Sequence, residues 1–244
     1  PDKRAFALVT TGPGLTNIVT AIGGAFVEHR ELLVIAGQVK STDLLQPPQR
    51  QRGVQEIDGT ALCKPITVHS ECLRAPISRE RFVSMVESAR GPHPGPVLVE
   101  VCLDVQGAKV DPVALEAGPA TPPVLEIAPE AGTLNTITEL LNQAKRPLLL
   151  LGGLVSRQLA REVLPALEAA GLPVATTTSA IDRVPTASKI FAGRPGTWGG
   201  QRAANLVLAQ ADVVIALGAQ LDLQQTGFNF QQYAPAAKLV HVFP

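Results

Sequence analysis

The sequence predicts an α/β protein built from two doubly wound, parallel-sheet (Rossmann-like) units. Three observations carry this expectation. Short continuous apolar runs, such as Ala5 to Val9, Leu32 to Ala36, Val97 to Val101, Pro147 to Leu151 and Val213 to Leu217, have the character of strands buried on both faces. Segments with apolar residues at helical spacing alternate with them. A proline-rich stretch, 108–129, with Pro112, Pro119, Pro122, Pro123 and Pro129, interrupts the rhythm and reads as an extended linker. The first unit is therefore assigned to 1–107 and the second to 130–244. A length of 244 residues, above the usual size of one α/β domain, agrees with two.

In the first unit, the strand Ala5 to Val9 runs through Thr10 and Thr11 into Gly12-Pro13-Gly14. A helix to about His29 follows, with Leu15, Ile18, Val19, Ile22 and Phe26 at its apolar positions. In an open α/β sheet, ligands bind beyond the carboxyl ends of the strands, where this turn lies. A helix start offers unpaired N–H groups and a partial positive charge. Pro13 forfeits nothing at a first helical position. The glycines remove side chains where a flat or anionic ligand would approach the backbone. A compact βα turn without a ligand accounts for the same residues equally well. Next come the strand Leu32 to Ala36, ending at Gly37-Gln38, and a polar loop, Lys40 to Gly53, long enough to be functional. A short strand is expected at Pro65 to His69, then a helix capped by Ser78 with Phe82, Met85, Val86 and Ala89 inward. A turn cluster from Gly91 to Pro96 leads into the strand Val97 to Val101.

The second unit opens with a helix, Glu130 to Ala144, that presents Leu134, Ile137, Leu140 and Leu141 on one face. The strand Pro147 to Leu151 ends at Gly152-Gly153. A helix from Arg157 to Ala170 contains Pro165, which predicts a kink or a break, and Gly171 terminates it. Pro173 to Thr176, Val213 to Leu217 and Leu239 to Val242 read as strands, and Gly199 to Gln210 as a helix.

Composition narrows the function. Hydrophobic residues are 45% and aromatic ones 4%, so the cores are aliphatic. The 21 basic and 21 acidic residues cancel, which argues against nucleic acid or an anionic membrane as a partner. No apolar run has membrane-spanning length and no signal segment opens the chain. Cys63, Cys72 and Cys102 are isolated in sequence and lack CxxC spacing, which suggests a reducing cytosol and no metal site. The expected location is cytoplasmic. The start at Pro1 and the apolar run at Leu239 to Phe243 suggest a piece of a longer protein.

Several stretches line up in order with one family. TTGPGLTN, LLVIAGQV, GVQEIDGTALCKPITVHS and GPVLVEV resemble the later part of the pyrimidine-binding domain of thiamine-diphosphate enzymes, the acetolactate synthase group above all. RPLLLLGG, GLPVATTTSAIDRVP, GRPGTWGGQRAANLVLAQADVVIALGAQLDLQQTG and APAAKLVHV are similar to that group's central domain. The resemblance covers nearly all of the chain except the linker. It implies that the first unit is incomplete, with the catalytic glutamate upstream, and that the diphosphate-binding domain with its magnesium ligands lies downstream.

The resemblance further implies chemistry on a 2-keto acid such as pyruvate, in a homodimer or homotetramer with thiamine diphosphate and Mg2+. The cofactor adds to the keto carbon and carbon dioxide leaves, after which the two-carbon unit is transferred by a synthase or protonated by a decarboxylase. Gly12, Pro13 and Asn17 match the turn that borders the pyrimidine ring. Gln55 matches a substrate-facing glutamine and is taken as an orienting group, because an amide does not titrate. His69 stands where relatives carry a KHS-like strand and is read as structural. Gly152, Gly153, Thr177, Gly196, Thr197, Trp198, Gly199 and Gly218 match positions that approach FAD in the central domain. Gln220 and Gln224 stand in place of two arginines there, and Phe243-Pro244 in place of an acidic strand end, which weighs against FAD. Lys40 replaces a proline, and the loop Ser41 to Arg52 is longer than in the synthase. A non-catalytic nucleotide-binding or structural module remains the alternative of another class. A nicotinamide dehydrogenase is disfavoured, since no GxGxxG with a following acidic residue is present.

Overall fold

The computed structural model describes residues 6–91, 93–111 and 132–243. The chain forms two compact units, Pro1–Glu126 and Ile127–Pro244, each built on one parallel sheet. Most of the expected linker, from 112 onward, lies outside the described residues, as does the start of the helix expected from Glu130.

The first sheet has the order β1-β2-β4-β3, with β1 at Phe6–Val9, β2 at Leu32–Gln38, β3 at His69–Leu73 and β4 at Pro96–Cys102. Val34 pairs with Leu98 and Ala36 with Glu100, so alternate residues share a face. Val34, Ala36 and Leu98 pack on Leu15 of α1 (Pro13–Thr16), Ile22 of α2 (Val19–Val27) and Cys63 of α3 (Gly59–Cys63). The opposite face, with Val97, Val99 and Leu73, packs on Met85 and Phe82 of α4 (Arg79–Glu87). Helices on both faces explain why these strands read as continuous apolar runs. A short helix, α5 (Leu103–Gln106), follows β4.

Three local expectations change in this unit. The helix expected through His29 is two helices, because the Ile18 N–H bonds Leu15 O at 3.1 Å and tightens the turn between them. The strand expected at Pro65 to His69 begins at His69 instead. Pro65 has no N–H to give a ladder and sits in a 3-10 turn, Lys64–Ile66. The cysteines isolated in sequence are not all isolated in space, since the thiols of Cys72 and Cys102 lie 3.7 Å apart on β3 and β4.

The second sheet has the order β7-β6-β5-β8-β9. Its elements are α6 (Thr133–Gln143), β5 (Pro147–Leu151), α7 (Arg157–Ala170), β6 (Val174–Thr176), β7 (Phe191–Gly193), α8 (Arg202–Gln210), β8 (Val213–Leu217), α9 (Leu223–Thr226) and β9 (Lys238–Val242). Leu148, Leu150, Val214 and Ala216 form one core, and Leu151, Val174, Ala160 and Val184 form another. The expected break at Pro165 is absent. Arg161 and Pro165 are both exposed, so the carbonyl that loses its N–H partner faces solvent. The helix is held at both ends. Ser156 Oγ accepts from Leu159 N at 3.0 Å. At the other end Gly171, at φ 62, closes a Schellman turn, with Gly171 N on Glu168 O and Leu172 N on Leu167 O, each at 3.1 Å. Helix α8 begins at Arg202 rather than Gly199, which has φ 71.

Among the described residues strand β1 has one neighbour, and its Phe6 and Leu8 are 71% and 72% exposed. An open edge bearing apolar side chains promotes pairing between copies. Sedimentation velocity on this chain is expected to show association that grows with concentration and is reduced by Phe6→Lys with Leu8→Lys. A wild-type chain that stays monomeric throughout would contradict this.

Candidate functional site

The turn after β1 and the loop before α3 interlock through their backbones. Gly12 is buried at φ 58, and a Cβ added there would fall 1.9 Å from the carbonyl oxygen of Gln55. Gln55 itself has φ 58, a left-handed conformation uncommon for a residue with a side chain. The carbonyl of Gln55 therefore occupies the space that Gly12 leaves open. The Gln55 side chain is exposed, as are Pro13 and Asn17 at the two ends of α1.

Gln38, at the carboxyl end of β2, joins these pieces. Its Oε1 accepts from Val39 N at 2.9 Å and from Thr11 Oγ1 at 3.2 Å. Its Nε2 donates to Ile57 O at 2.9 Å and to Glu100 Oε1 at 3.0 Å. Both donors and both acceptor positions of the amide are used, which lets a side chain 5% exposed remain polar. Glu100 is 1% exposed, and its Oε2 accepts from Thr60 N at 3.0 Å. Gly59 lies against it, where a Cβ would come 2.5 Å from Oε1. Burial pushes the Glu100 carboxyl up to about 7, aided by the charge of Asp58 and opposed by the bonds from Thr60 and Gln38.

The polar loop is shaped by a second buried carboxylate. Glu56 accepts from the backbone N–H of Leu45, of Arg52 at 3.0 Å and of Gly53 at 2.8 Å. Burial opposes its charge, but these three bonds, with Arg52 nearby, hold it below the usual carboxylate range. A hollow of about 960 Å3 runs from Leu8, Ile35 and Val101 on the sheet to Thr10, Thr11, Gln38, Lys40 and Arg52 at the strand ends. Arg52 faces Asp43 at 3.8 Å. His69 is on the edge strand β3, 3.4 Å from Glu71 Oε2. Gln38, Glu56 and Glu100 were not selected from sequence. A charged residue inside the apolar run Val97 to Val101 is the signal that marks Glu100, since a buried charge needs built partners.

In the second unit Gly152, Gly153, Thr177 and Gly218 sit just past the carboxyl ends of β5, β6 and β8, where the strand order reverses. A Cβ on Gly152 would lie 2.0 Å from Gly218 O and 2.1 Å from Ala219 Cα, so the two segments are in backbone contact. Thr177 N donates to Leu151 O at 2.9 Å. Buried Arg183 donates to the carbonyls of Val155 and Gly153 at 2.6 and 3.3 Å and pairs with Asp182. The turn Gly196 to Gly199 is clamped by Asn205, which bonds Gly196 N at 2.9 Å and Gly196 O at 3.2 Å. Thr197 N bonds Gln224 O at 3.3 Å. Trp198, 67% exposed, borders a cavity of about 310 Å3 with Leu223, Gln224 and Phe228. Among the described residues no group of three or more His, Cys, Asp or Glu could hold a metal ion, and no helix is long and apolar enough to cross a membrane.

Residues 2–62 match the thiamine pyrophosphate enzyme N-terminal TPP binding domain, and residues 134–244 the thiamine pyrophosphate enzyme central domain. The chain belongs to the thiamine pyrophosphate enzyme family. It is similar to the acetolactate synthase large subunit of Corynebacterium glutamicum, at 33% identity over 96% of this chain and 37% of the relative. It is also similar to the acetolactate synthase isozyme 1 large subunit of Escherichia coli, at 34% over 98% of this chain and 41% of the relative. A probable acetolactate synthase large subunit of Methanocaldococcus jannaschii is 30% identical over 96% of this chain and 39% of the relative. The chain thus spans about two fifths of the length of these family members.

The interlock of Gly12 with Gln55 has a measurable consequence. Gly12→Ala forces a Cβ into a backbone carbonyl and keeps it at a positive φ. The substitution is expected to destabilise the first unit by roughly 1–3 kcal/mol, read as a lower urea midpoint. An unchanged midpoint would show that the loop moves aside freely.

Proposed function

We propose that this chain is part of a thiamine-diphosphate-dependent 2-keto acid carboligase of the acetolactate synthase type, which decarboxylates pyruvate and transfers the two-carbon unit to a second carbonyl. The observation that carries this is the ordered similarity of 96–98% of the chain to acetolactate synthase large subunits. The first-unit site agrees with it. The Gly12 turn and the Gln55 loop, interlocked at the carboxyl ends of β1 and β2, suit the neutral pyrimidine end of the cofactor. The diphosphate, its Mg2+ and the catalytic glutamate are assigned to segments outside this chain. The working enzyme is taken to be cytoplasmic and a homodimer or homotetramer.

Thiamine diphosphate, when bound, supplies the thiazolium carbon that adds to the keto carbon and accepts electrons as carbon dioxide leaves. The residues of this chain do the holding. Gly12, Pro13 and Asn17 border the ring, and the Gln38 amide fixes the turn and the loop that carry them. Gln55 offers an uncharged donor and acceptor to orient the substrate and moves no proton. The cavity beside Trp198 is bordered by Leu223, Gln224 and Phe228, so none of its lining residues supplies a cation to the diphosphate of a flavin dinucleotide. FAD is therefore left out of the proposal.

The intact gene product, given pyruvate, thiamine diphosphate and Mg2+, is expected to form acetolactate, while this chain alone is expected to be inactive. Acetaldehyde as the product would make the protein a decarboxylase of the same family, and no product would overturn the proposal. Within the intact enzyme, Gln55→Ala is expected to lower kcat/KM for the keto acid about tenfold, the worth of one hydrogen bond. Steady-state kinetics showing no change would remove Gln55 from the site.

A further inference from the structure

The buried carboxyl of Glu100 is built into the fold with more care than a core position needs. Both of its oxygens face N–H donors: Oε1 takes Gln38 Nε2 at 3.0 Å and Oε2 takes Thr60 N at 3.0 Å. Gly59 has no side chain where one would strike Oε1. The amide held by Glu100 in turn holds Thr11, next to Gly12, and Ile57, which follows Gln55 and Glu56. Protonation removes the charge that strengthens both bonds and adds an O–H for which neither Gln38 Nε2 nor Thr60 N is an acceptor, so the neutral carboxyl holds its two donors less tightly.

We propose that Glu100 is a positioning residue: its ionised carboxylate, through Gln38 and the Thr60 amide, locks the Gly12 turn to the 55–60 loop, and protonation loosens that lock. Glu100 touches neither substrate nor cofactor. Its link to catalysis rests on the proposed function above, in which the turn and loop border the cofactor.

The surroundings define when the lock engages. From α3 and its cap, Glu100 faces Asp58 and Cys63. From β3 it faces Cys72, and from its own strand Cys102, while β2 contributes the uncharged Gln38. Burial raises all three thiols, Cys72 to about 12, so they are uncharged at neutral pH. Of these neighbours Asp58 is the one that opposes the carboxylate by charge. The Glu100 carboxyl is raised to about 7. The folded chain therefore holds this proton more tightly than the unfolded chain does. The stability it contributes is full below the ordinary glutamate range and is lost as pH rises through about 7. The lock runs the other way because Glu100 stays buried whether the lock is tight or loose: burial then weighs on the tight and the loose form alike, while the bonds from Thr60 and Gln38 favour the charged carboxyl.

The test uses the intact gene product and amide hydrogen exchange by mass spectrometry, corrected for the intrinsic pH dependence of exchange. Protection of segments 38–40 and 57–61 is expected to be about tenfold greater at about pH 8 than at about pH 6. Glu100→Gln should show the weaker protection at both values, and Glu100→Asp should restore a pH dependence. The Glu100→Gln enzyme should also need about tenfold more thiamine diphosphate for half-activation, with a flattened pH profile. Wild-type protection that does not change with pH overturns the lock, whether or not the variants fold. Equal pH dependence in Glu100→Gln overturns it as well. A wild-type protein that makes no carboligase product while its exchange shows the pH dependence would refute the proposed function and leave the lock standing.

Discussion

Gln38 stands at the end of a central strand, and its amide bonds reach a turn after one strand, a loop before a helix and a carboxylate on a third element. In water each of these bonds would be exchanged for another of similar strength. In a buried site an unmade one is expensive, so the amide constrains all three partners at once. The first unit depends on that constraint where the Gly12 turn meets the Gln55 loop, beside the apolar packing of Leu15 and Ile57. The contact of turn and loop is backbone against backbone, held in register by polar groups behind it.

The second unit meets the same problem differently. Where its strand order reverses, a crevice would normally open beyond the strand ends. Here Gly152 allows the segment after β5 to lie directly on Gly218 and Ala219. Buried Arg183 bonds the carbonyls of Gly153 and Val155 from the other side. The glycines that the resemblance put forward as cofactor neighbours therefore serve internal packing here. The turn with Trp198 is shaped by Asn205 and Gln225, which bond Gly196 and Pro195.

The sheets and most helices were legible in the sequence because buried parallel strands and amphipathic helices leave apolar patterns that need no long-range knowledge. Boundaries failed where a single backbone group decided them, as at Pro65, or where solvent relieved an expected defect, as at Pro165. At the candidate site, Gly12 and Gln55 were singled out in the sequence, but not that the two meet, with a carbonyl rather than an amide side chain making their contact. Glu100 was hidden for a different reason. Its partner Gln38 is 62 residues away in sequence, and such a pairing leaves no local periodicity. Only its charge, set inside an apolar strand, gave it away.

Glu56 closes the polar loop by taking the N–H groups of Leu45 and Arg52 together. The segment between them is thereby gathered at its base, much as a cassette is held by its two ends. Changes in the length or composition of 46–51 can be absorbed there without displacing Gln55 or the helix beyond it. The fold thus separates the rim of 46–51 from the polar line of Gly12, Gln38 and Glu100 on which the candidate site is hung.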